Sequence, residues 1–248
     1  MIPLADDNSD RTLKPLVNGL LIAANIFVFI FLQALGTNER FTYAFATVPA
    51  SIVAGHGIER SVTVVDPLSG EVVGQIELEP PPVSVYWTLL TSLFLHGGLG
   101  HLLGNMLYLF IFGDNVEDAL GHGRYLLFYL ACGILASLSH VIATVVTGGN
   151  PYIPSLGASG AISGVLAAYL VLFPAKRVRV LIFVFITDVP AIFAIGLWFA
   201  FQLINGVGML GSGSQAGGVA YAAHIGGFAA GFVLVRAFAR RGPRYRLA

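Results

Sequence analysis

The stretch PSLGASGAISGVLAAYLVLF, residues 154–173, begins with the composition of a tight turn and continues as an apolar helix. Lys176 and Arg177 follow it closely, as basic residues do at the cytoplasmic end of a membrane span. The helix also carries Ser159 and Ser163, and a polar group inside lipid needs a hydrogen-bond partner or a water-filled cavity. The stretch therefore predicts a membrane helix whose outer end holds a hydroxyl group that membrane insertion alone does not require.

The composition of the whole chain is also that of a membrane protein. Of its 248 residues, 56% are hydrophobic and 10% are charged, whereas soluble domains usually carry about 25% charged residues. The formal net charge is zero, so the chain lacks the electrostatic footprint of a nucleic-acid-binding protein. Cys132 is the single cysteine, which excludes an internal disulfide and a cysteine metal cluster. We therefore expect the lipid bilayer, and no nucleic acid, among its partners.

Six apolar segments predict an all-α polytopic bundle, since about 20 residues cross the roughly 30 Å of hydrocarbon. The fourth segment is short, and we expect it to be buried. Pro190 suits the start of the fifth helix, with residues 179–188 as an interfacial connector before it. A signal peptide is the alternative for the first segment, but its apolar run is longer than usual and lacks a clear A-x-A site. The predicted spans are residues 17–35, a helix from Gly100 to 113 preceded by a dipping loop, 125–146, 159–173, a helix from Pro190, and 217–238.

The distribution of basic residues predicts the orientation of this bundle. Eleven of the 13 Lys and Arg residues fall on the side of the N-terminus, and Arg40 and Arg60 fall on the other side. Both termini are therefore expected to be cytoplasmic. The predicted organisation is a cytoplasmic tail (1–16), a six-helix membrane domain (17–238) with an extended extracytoplasmic first loop (36–85), and a basic cytoplasmic tail (239–248). Within the loop, alternating residues around 66–70 predict a β-hairpin.

Polar residues from three different spans are predicted to lie at one depth. Counting about 1.5 Å per residue from the cytoplasmic ends, His101, Ser159 and His224 all fall roughly 10 Å beneath the outer surface. Asn105 lies one turn below His101 on the same face of its helix. An interhelical hydrogen bond would explain any one of these residues. Four of them in one layer favour a functional site.

Small residues recur at every fourth position in the fourth and sixth spans, which lets helix backbones approach closely. They are Gly160, Gly164 and Ala168 in the fourth span, and Gly227 and Gly231 in the sixth. Packing alone explains the glycines. It leaves open why a serine and a histidine stand at the heads of the two stripes.

Nucleophilic catalysis fits this set of residues. A serine hydroxyl is a weak nucleophile until an adjacent base takes its proton, and His224 can be that base for Ser159. The Ser159 backbone N–H, the Asn105 amide and His101 could stabilise the developing oxyanion. The acidic residues all fall outside the outer halves of the predicted spans. We therefore expect a dyad, with the histidine oriented by packing rather than by an aspartate.

Three motifs of the chain resemble the rhomboid family of intramembrane serine proteases. They are TSLFLHGGLGHLLGNMLYLFIFGDNVEDALG (91–121), GASGAISG (157–164) and AHIGGFAAG (223–231), and they occur in the family's order. The six spans match the family's core bundle, and the resemblance covers most of the chain, from about residue 17 to 238. It implies a serine endopeptidase that cleaves the membrane helices of other proteins near their outer ends, without metal or cofactor.

The resemblance also implies a role for each matching residue. The implied site consists of Ser159 (nucleophile), His224 (general base), His101, Asn105 and the backbone of Ser159 (oxyanion hole), and His96, Gly157, Gly160 and Gly227 (supporting residues). An extended backbone must reach the serine, so small and helix-breaking residues are expected around the cleaved bond of a substrate.

The chain departs from the family pattern at several positions. Some members carry an aromatic residue four positions after the serine, stacked on the histidine, where this chain has Ser163. Tyr221 is the candidate to supply that support here. Some members also carry an aromatic residue just before the asparagine, at the presumed lateral gate, where this chain has Gly104. The gate is therefore expected to be less obstructed.

Three alternatives remain beside the protease. An inactive relative that binds membrane helices would commonly lack the serine or the histidine, and both are present. A transporter would place charged residues inside the bundle, and the outer layer has none. A metal site could use His96, His101 and His224, but no carboxylate or cysteine joins them. The lack of an organelle-type presequence favours a prokaryotic plasma membrane as the location.

Overall fold

The computed structural model describes residues 1–65, 71–212 and 218–239. In this part of the chain, six helices of at least 12 residues lie at the positions of the predicted spans. The second helix continues to Leu120 instead of ending at 113, and the fifth begins at Ala191, directly after Pro190. The helices are α1 (Leu16–Phe27, continued by a π-helical turn at Val28–Leu32), α2 (Leu99–Leu120), α3 (His122–Thr147), α4 (Ser159–Leu172), α5 (Ala191–Ser212) and α6 (Gly218–Phe238).

Two of these helices are long and apolar enough to cross a membrane: α3, and α6 from Tyr221 onwards. A third crossing results if α2 is combined with the helical turns at Val85–Phe94, which meet it at an angle of 79°. This bend agrees with the dipping loop expected before the second span. The other apolar helices within the described ranges, at Leu16–Leu32, Ser159–Leu172 and Ala191–Gly206, are shorter. The count of six crossings therefore stays a prediction.

Helix α4 lies at the centre of the bundle and is short and buried, as expected. All residues from 160 to 169 are buried. Its backbone touches that of α6, because a Cβ atom at Gly227 would collide with the carbonyl oxygen of Gly160, and one at Gly231 with that of Gly164. On the other side, a Cβ atom at Gly164 would lie 2.6 Å from Cβ of Cys132 in α3. The small-residue stripes predicted from the sequence are therefore close contacts between helices.

The chain is mostly helical, as predicted, but it also forms two small antiparallel sheets, so it is not all-α. The strands are β1 (Ile2–Asp6), β2 (Arg60–Val65), β3 (Val72–Leu78), β4 (Arg177–Ile182) and β5 (Phe185–Pro190). One sheet has three strands in the order β1-β4-β5, and the other is a β2–β3 hairpin in the first loop. The loop hairpin confirms the predicted strand pairing, and its turn at 66–70 lies outside the described residues.

The three-stranded sheet replaces the expected interfacial connector and part of the N-terminal tail. The alternation in β4 explains this sheet, since Val178 and Val180 are completely buried while Arg177 and Arg179, which alternate with them, are exposed. Strand β1 pairs with β4 and is held at its end by Asp6, whose carboxylate accepts hydrogen bonds from Tyr169 of α4 and Asn115 of α2, both 2.7 Å. The N-terminal segment is therefore packed against the bundle.

A buried carboxylate fixes the start of α1. Glu117 of α2 is fully buried and accepts hydrogen bonds from the backbone N–H groups of Val17, at 2.9 Å, and Asn18, at 2.7 Å. These N–H groups have no carbonyl partner within a helix, so the carboxylate acts as a cap from another helix. The Asn18 side chain in turn accepts a hydrogen bond from Tyr125 of α3 at 2.8 Å. One polar cluster thus joins α1, α2 and α3 at this end of the bundle.

The first loop folds over the opposite end of the bundle. Thr47 forms backbone hydrogen bonds in both directions with Ser155, at 3.0 and 2.8 Å, which ties the loop to the segment before α4. Arg60 of β2 stacks over the Tyr152 ring at 4.2 Å. The short helical segments of this region are Ala34–Gly36, Glu39–Phe45, Pro49–Ala54, Val85–Trp87, Thr88–Thr91 and Ser92–Phe94.

The backbone contact between α4 and α6 predicts an unequal response to two glycine substitutions. Gly227→Ala should lower the thermal unfolding midpoint in detergent micelles, because the new methyl group overlaps the Gly160 carbonyl and overpacking costs about 1–3 kcal/mol. Gly19→Ala is the matched control, since no atom lies within 4 Å of its new Cβ. Equal midpoints for the two variants would contradict the close contact.

Candidate active site

Ser159 lies at the first position of α4, where the chain turns out of the preceding loop. Gly157 precedes it with φ +128, a conformation that L side chains rarely adopt. Space is also short there, because a Cβ atom at Gly157 would lie 2.9 Å from Nε2 of His101. Two independent reasons therefore require glycine at position 157: the positive φ angle and the close approach of the His101 ring.

Ser159 and His224 form a direct hydrogen bond across the α4–α6 contact. The distance from Ser159 Oγ to His224 Nε2 is 2.8 Å. His224 lies on α6 just before Gly227, the residue that touches the Gly160 carbonyl. The same close packing of two backbones therefore brings the serine and the histidine within hydrogen-bonding distance.

The sequence reasoning missed a third member of this arrangement. Oε1 of Gln202, on α5, lies 2.8 Å from Nδ1 of His224, and Gln202 is only 6% exposed. An amide oxygen can only accept, so the bond requires the proton on Nδ1 and leaves Nε2 free to accept from Ser159. We expected packing rather than an aspartate to orient His224, and in the structure a side-chain amide contributes a hydrogen bond to that orientation. Gln202 stands as a lone amide in the apolar run FAFQLI, a signal that a search restricted to carboxylates overlooks.

Aromatic rings complete the surroundings of His224. Tyr221 lies edge-on to the imidazole, with ring centroids 6.5 Å apart, and Trp198 of α5 lies at 6.0 Å with the rings tilted. Tyr221 is the residue that the sequence suggested for this support. Trp198 was not anticipated, and it comes from the same helix as Gln202.

The serine and histidine open into a cavity of about 330 Å³. Four of the predicted polar residues line this cavity: His101, Asn105, Ser159 and His224. Gly157 and Gly160 line it as well. Asn105 is buried, and its Nδ2 has no hydrogen-bond partner among the described residues. A buried amide without a partner is costly, so this donor is available to a bound group.

His101 is oriented by its own loop. Its Nδ1 accepts a hydrogen bond from the backbone N–H of Gly97 at 3.3 Å. The ring proton therefore belongs on Nε2, the atom that faces Gly157 at the start of α4. His101 can thus donate a hydrogen bond near the serine.

His96 lies behind His101 and is not among the residues that line the cavity. The two imidazoles meet edge to face with centroids 5.1 Å apart. The Gln33 side chain holds the His96 backbone through two hydrogen bonds of 2.9 Å, one to its N–H and one to its carbonyl. Within the described residues, no three His, Cys, Asp or Glu side chains are placed to hold a metal ion, so the three-histidine alternative gains no support from the geometry.

The fold and the site together describe a bundle of apolar helices around a half-buried, hydrogen-bonded serine–histidine pair that lines a cavity. The Rhomboid domain model matches residues 83–241, more than half of the chain, and the chain belongs to the rhomboid family. It is accordingly an integral membrane protein.

Curated relatives support the same family. The chain is 32% identical over 221 residues to rhomboid protease GluP of Bacillus subtilis, and the aligned region covers 88% of this chain and 34% of GluP. It is 41% identical over 85 residues to the putative rhomboid protease YdcA of Bacillus subtilis, covering 34% of this chain and 40% of YdcA. It is 35% identical over 144 residues to mitochondrial rhomboid protein 1 of Saccharomyces cerevisiae, covering 56% of this chain and 38% of that protein. The chain thus spans less than half the length of these relatives.

Proposed function

We propose that this protein is an intramembrane serine endopeptidase that hydrolyses peptide bonds in or near the transmembrane segments of other membrane proteins. The observation that carries the proposal is the 2.8 Å hydrogen bond from Ser159 Oγ to His224 Nε2, in a cavity where the Asn105 amide donor has no partner among the described residues. The printed names of the relatives, which include rhomboid proteases, support the same activity. The reaction needs no metal or cofactor.

In the proposed reaction, Ser159 Oγ attacks the carbonyl carbon of the scissile peptide bond while His224 Nε2 takes the hydroxyl proton. The carbonyl oxygen becomes an oxyanion that accepts hydrogen bonds from Asn105 Nδ2, His101 Nε2–H and the Ser159 backbone N–H. His224 then gives the proton to the leaving amine, and the C–N bond breaks. A water molecule, deprotonated by His224, hydrolyses the acyl-enzyme and restores the serine.

Gln202 has a positioning role in this scheme. Its hydrogen bond to His224 Nδ1 selects the tautomer in which Nε2 can accept the serine proton. When His224 becomes protonated, the same amide oxygen faces the Nδ1–H of a positive imidazolium and strengthens that hydrogen bond. An amide supplies this orientation without the cost of a buried charge.

The site suits a substrate that approaches within the membrane. The serine lies roughly 10 Å beneath the outer surface by the helix-length estimate, where bulk water reaches it only through the cavity. A helical segment has to unwind before its carbonyl can reach Ser159, so substrates with small and helix-breaking residues are favoured. The basic-residue distribution supports cytoplasmic termini, and the basic tail from 240 onwards lies outside the described residues. The proposed location is a prokaryotic plasma membrane.

Labelling with a fluorophosphonate probe tests the nucleophile directly. Purified protein in detergent should be labelled, and both Ser159→Ala and His224→Ala should lose the label, because the hydroxyl reacts only when a base activates it. Ser163→Ala is the matched control: this hydroxyl lies one turn along α4 and donates to the Ser159 carbonyl, so its loss should leave the label in place. Folded wild-type protein that stays unlabelled, also with a small isocoumarin probe, would point to an inactive helix-binding relative.

The environment of the Asn105 amide predicts that substituting this residue lowers turnover without lowering the stability of the fold. Asn105→Ala should lower kcat by about 10²–10³-fold, the usual cost of one oxyanion-hole donor. The unfolding midpoint should change little, because Nδ2 makes no hydrogen bond that the substitution would break. The near-isosteric Asn105→Asp should be as inactive, since it removes the donor and keeps the volume. Full turnover in either variant would remove Asn105 from the oxyanion hole.

The positioning role of Gln202 is tested by pairing a disruptive with a conservative variant. Gln202→Leu should lower kcat about 10–100-fold with an unchanged KM, a loss of about 1.4–2.7 kcal/mol of transition-state stabilisation. Gln202→Glu keeps an acceptor oxygen and should retain most of the turnover. Phe201→Leu, on the exposed side of the same helix, is the control for altered packing. Equal kcat in wild type and Gln202→Leu would show that packing orients His224.

A further inference from the structure

The hairpin formed by β4 and β5 ends in a cluster of exposed apolar side chains. Phe183 is 91% exposed, Val184 81%, Phe185 72% and Ile186 64%. Four consecutive apolar residues with this exposure form a patch that a water-facing hairpin would not carry. The fold of the chain itself does not account for them.

The turn of this hairpin has unusual residues. Ile182 pairs with Phe185, so Phe183 and Val184 form a two-residue turn. Such turns favour Asn, Gly or Asp, because they require positive φ angles. Phe183 has φ +53, which costs a residue with a Cβ atom about 1–2 kcal/mol. A bulky apolar residue has therefore been placed where folding disfavours it and where it packs against little of the chain.

The position of the sheet relates this turn to the membrane. At its base, Arg177 pairs with Pro190, directly before α5. Further along, Val180 shares a small cleft with Ala194 and Trp198. The sheet therefore flanks the first two turns of α5, about 10 Å of helix. The middle of β4 therefore lies beside the helix, and the apolar turn follows three residues after Val180.

The first turns of α5 also present exposed apolar side chains. Ile192, Phe193 and Leu197 are all more than half exposed there. In an integral membrane protein, exposed apolar side chains on a helix of the bundle face acyl chains. The turn of the hairpin adds four further apolar side chains to the exposed surface of this part of the chain.

Charged residues mark the other end of the hairpin. Arg179 pairs with Asp188 across the strands and donates to it from Nε at 2.9 Å and from Nη2 at 3.2 Å. The hydrogen bond from Arg179 lowers the pKa of Asp188 below its ordinary value, so the pair is charged at neutral pH. Arg179 is four residues from Phe183, about 13 Å along the strand. The hairpin is thus apolar at its turn and ionic toward its base.

We propose that residues 181–186 insert into the lipid leaflet at the Pro190 end of α5, with Arg177 and Arg179 beside the phospholipid headgroups. The occupant of the apolar surface is the acyl-chain boundary of that leaflet. The insertion is shallow, about 5–10 Å, because β5 is an edge strand within the described sheet and its unpaired backbone groups cannot enter hydrocarbon. The proposal rests on the membrane embedding of α5 and not on the proteolytic activity.

Spin labelling tests this insertion. Cys132 is the single cysteine and is buried, so Cys132→Ala gives a cysteine-free background. A nitroxide at Val184→Cys, in vesicles containing phosphatidylglycerol, should collide with oxygen and be shielded from a water-soluble nickel complex, at a depth of about 5–10 Å. The matched control is Thr63→Cys on the loop hairpin, an exposed position that should be open to nickel.

A turn replacement separates insertion from hairpin folding. Phe183→Asn with Val184→Gly introduces the residues that two-residue turns prefer, so the hairpin should persist. A nitroxide at Ile186→Cys should then show a several-fold lower oxygen-to-nickel collision ratio than the same label beside the native turn. Two results would overturn the proposal. In the first, the label at the native turn is accessible to the nickel complex. In the second, the label is shielded from both oxygen and nickel, and dipolar broadening shows a second label close to it. The second result would show a contact between two copies of the chain.

Discussion

The close contact between the backbones of α4 and α6 is the constraint on which the site depends. It passes through Gly160, the residue after Ser159, and Gly227, three residues after His224. The serine and the histidine are thus held within one helical turn of this contact. Lipid supplies no hydrophobic force between helices, so close packing of small residues has to fix the 2.8 Å distance from Oγ to Nε2.

Two layers of polar groups in the bundle have opposite hydrogen-bonding states. At the end of the bundle where α1 begins, the Glu117 carboxylate accepts from two backbone N–H groups and the Asn18 side chain bridges to Tyr125, so polar groups there stabilise the fold. At the end where α4 begins, Asn105 Nδ2 lacks a partner within the described residues and borders a cavity. The cost of that missing hydrogen bond is tolerated at the layer where the proposed substrate carbonyl would supply the acceptor.

The sequence predicted the parts of the site that depend on helix length and failed where distant segments meet. Ser159, His101 and His224 could be placed in one layer because each is a fixed number of residues from the end of a helix. The sheet was missed because β4 pairs with β1, about 175 residues earlier in the chain, and local periodicity carries no information about such a distant pairing. Gln202 was missed because its role depends on the rotation of α5 toward α6, and its amide was not among the carboxylates considered.

Helix α5 connects the proposed lipid contact to the proposed catalytic base. Its first turns pack on the β1–β4–β5 sheet, and Gln202 and Trp198, one turn apart on the same helix, both contact His224. Gln202 lies about 16 Å of helix from Ala191, so a tilt of α5 at the sheet moves the amide oxygen at the other end. A hydrogen bond weakens steeply once it is lengthened or bent, and the tautomer of His224 depends on this one. We therefore expect the orientation of the proposed base to depend, through this one helix, on how the sheet holds the first turns of α5.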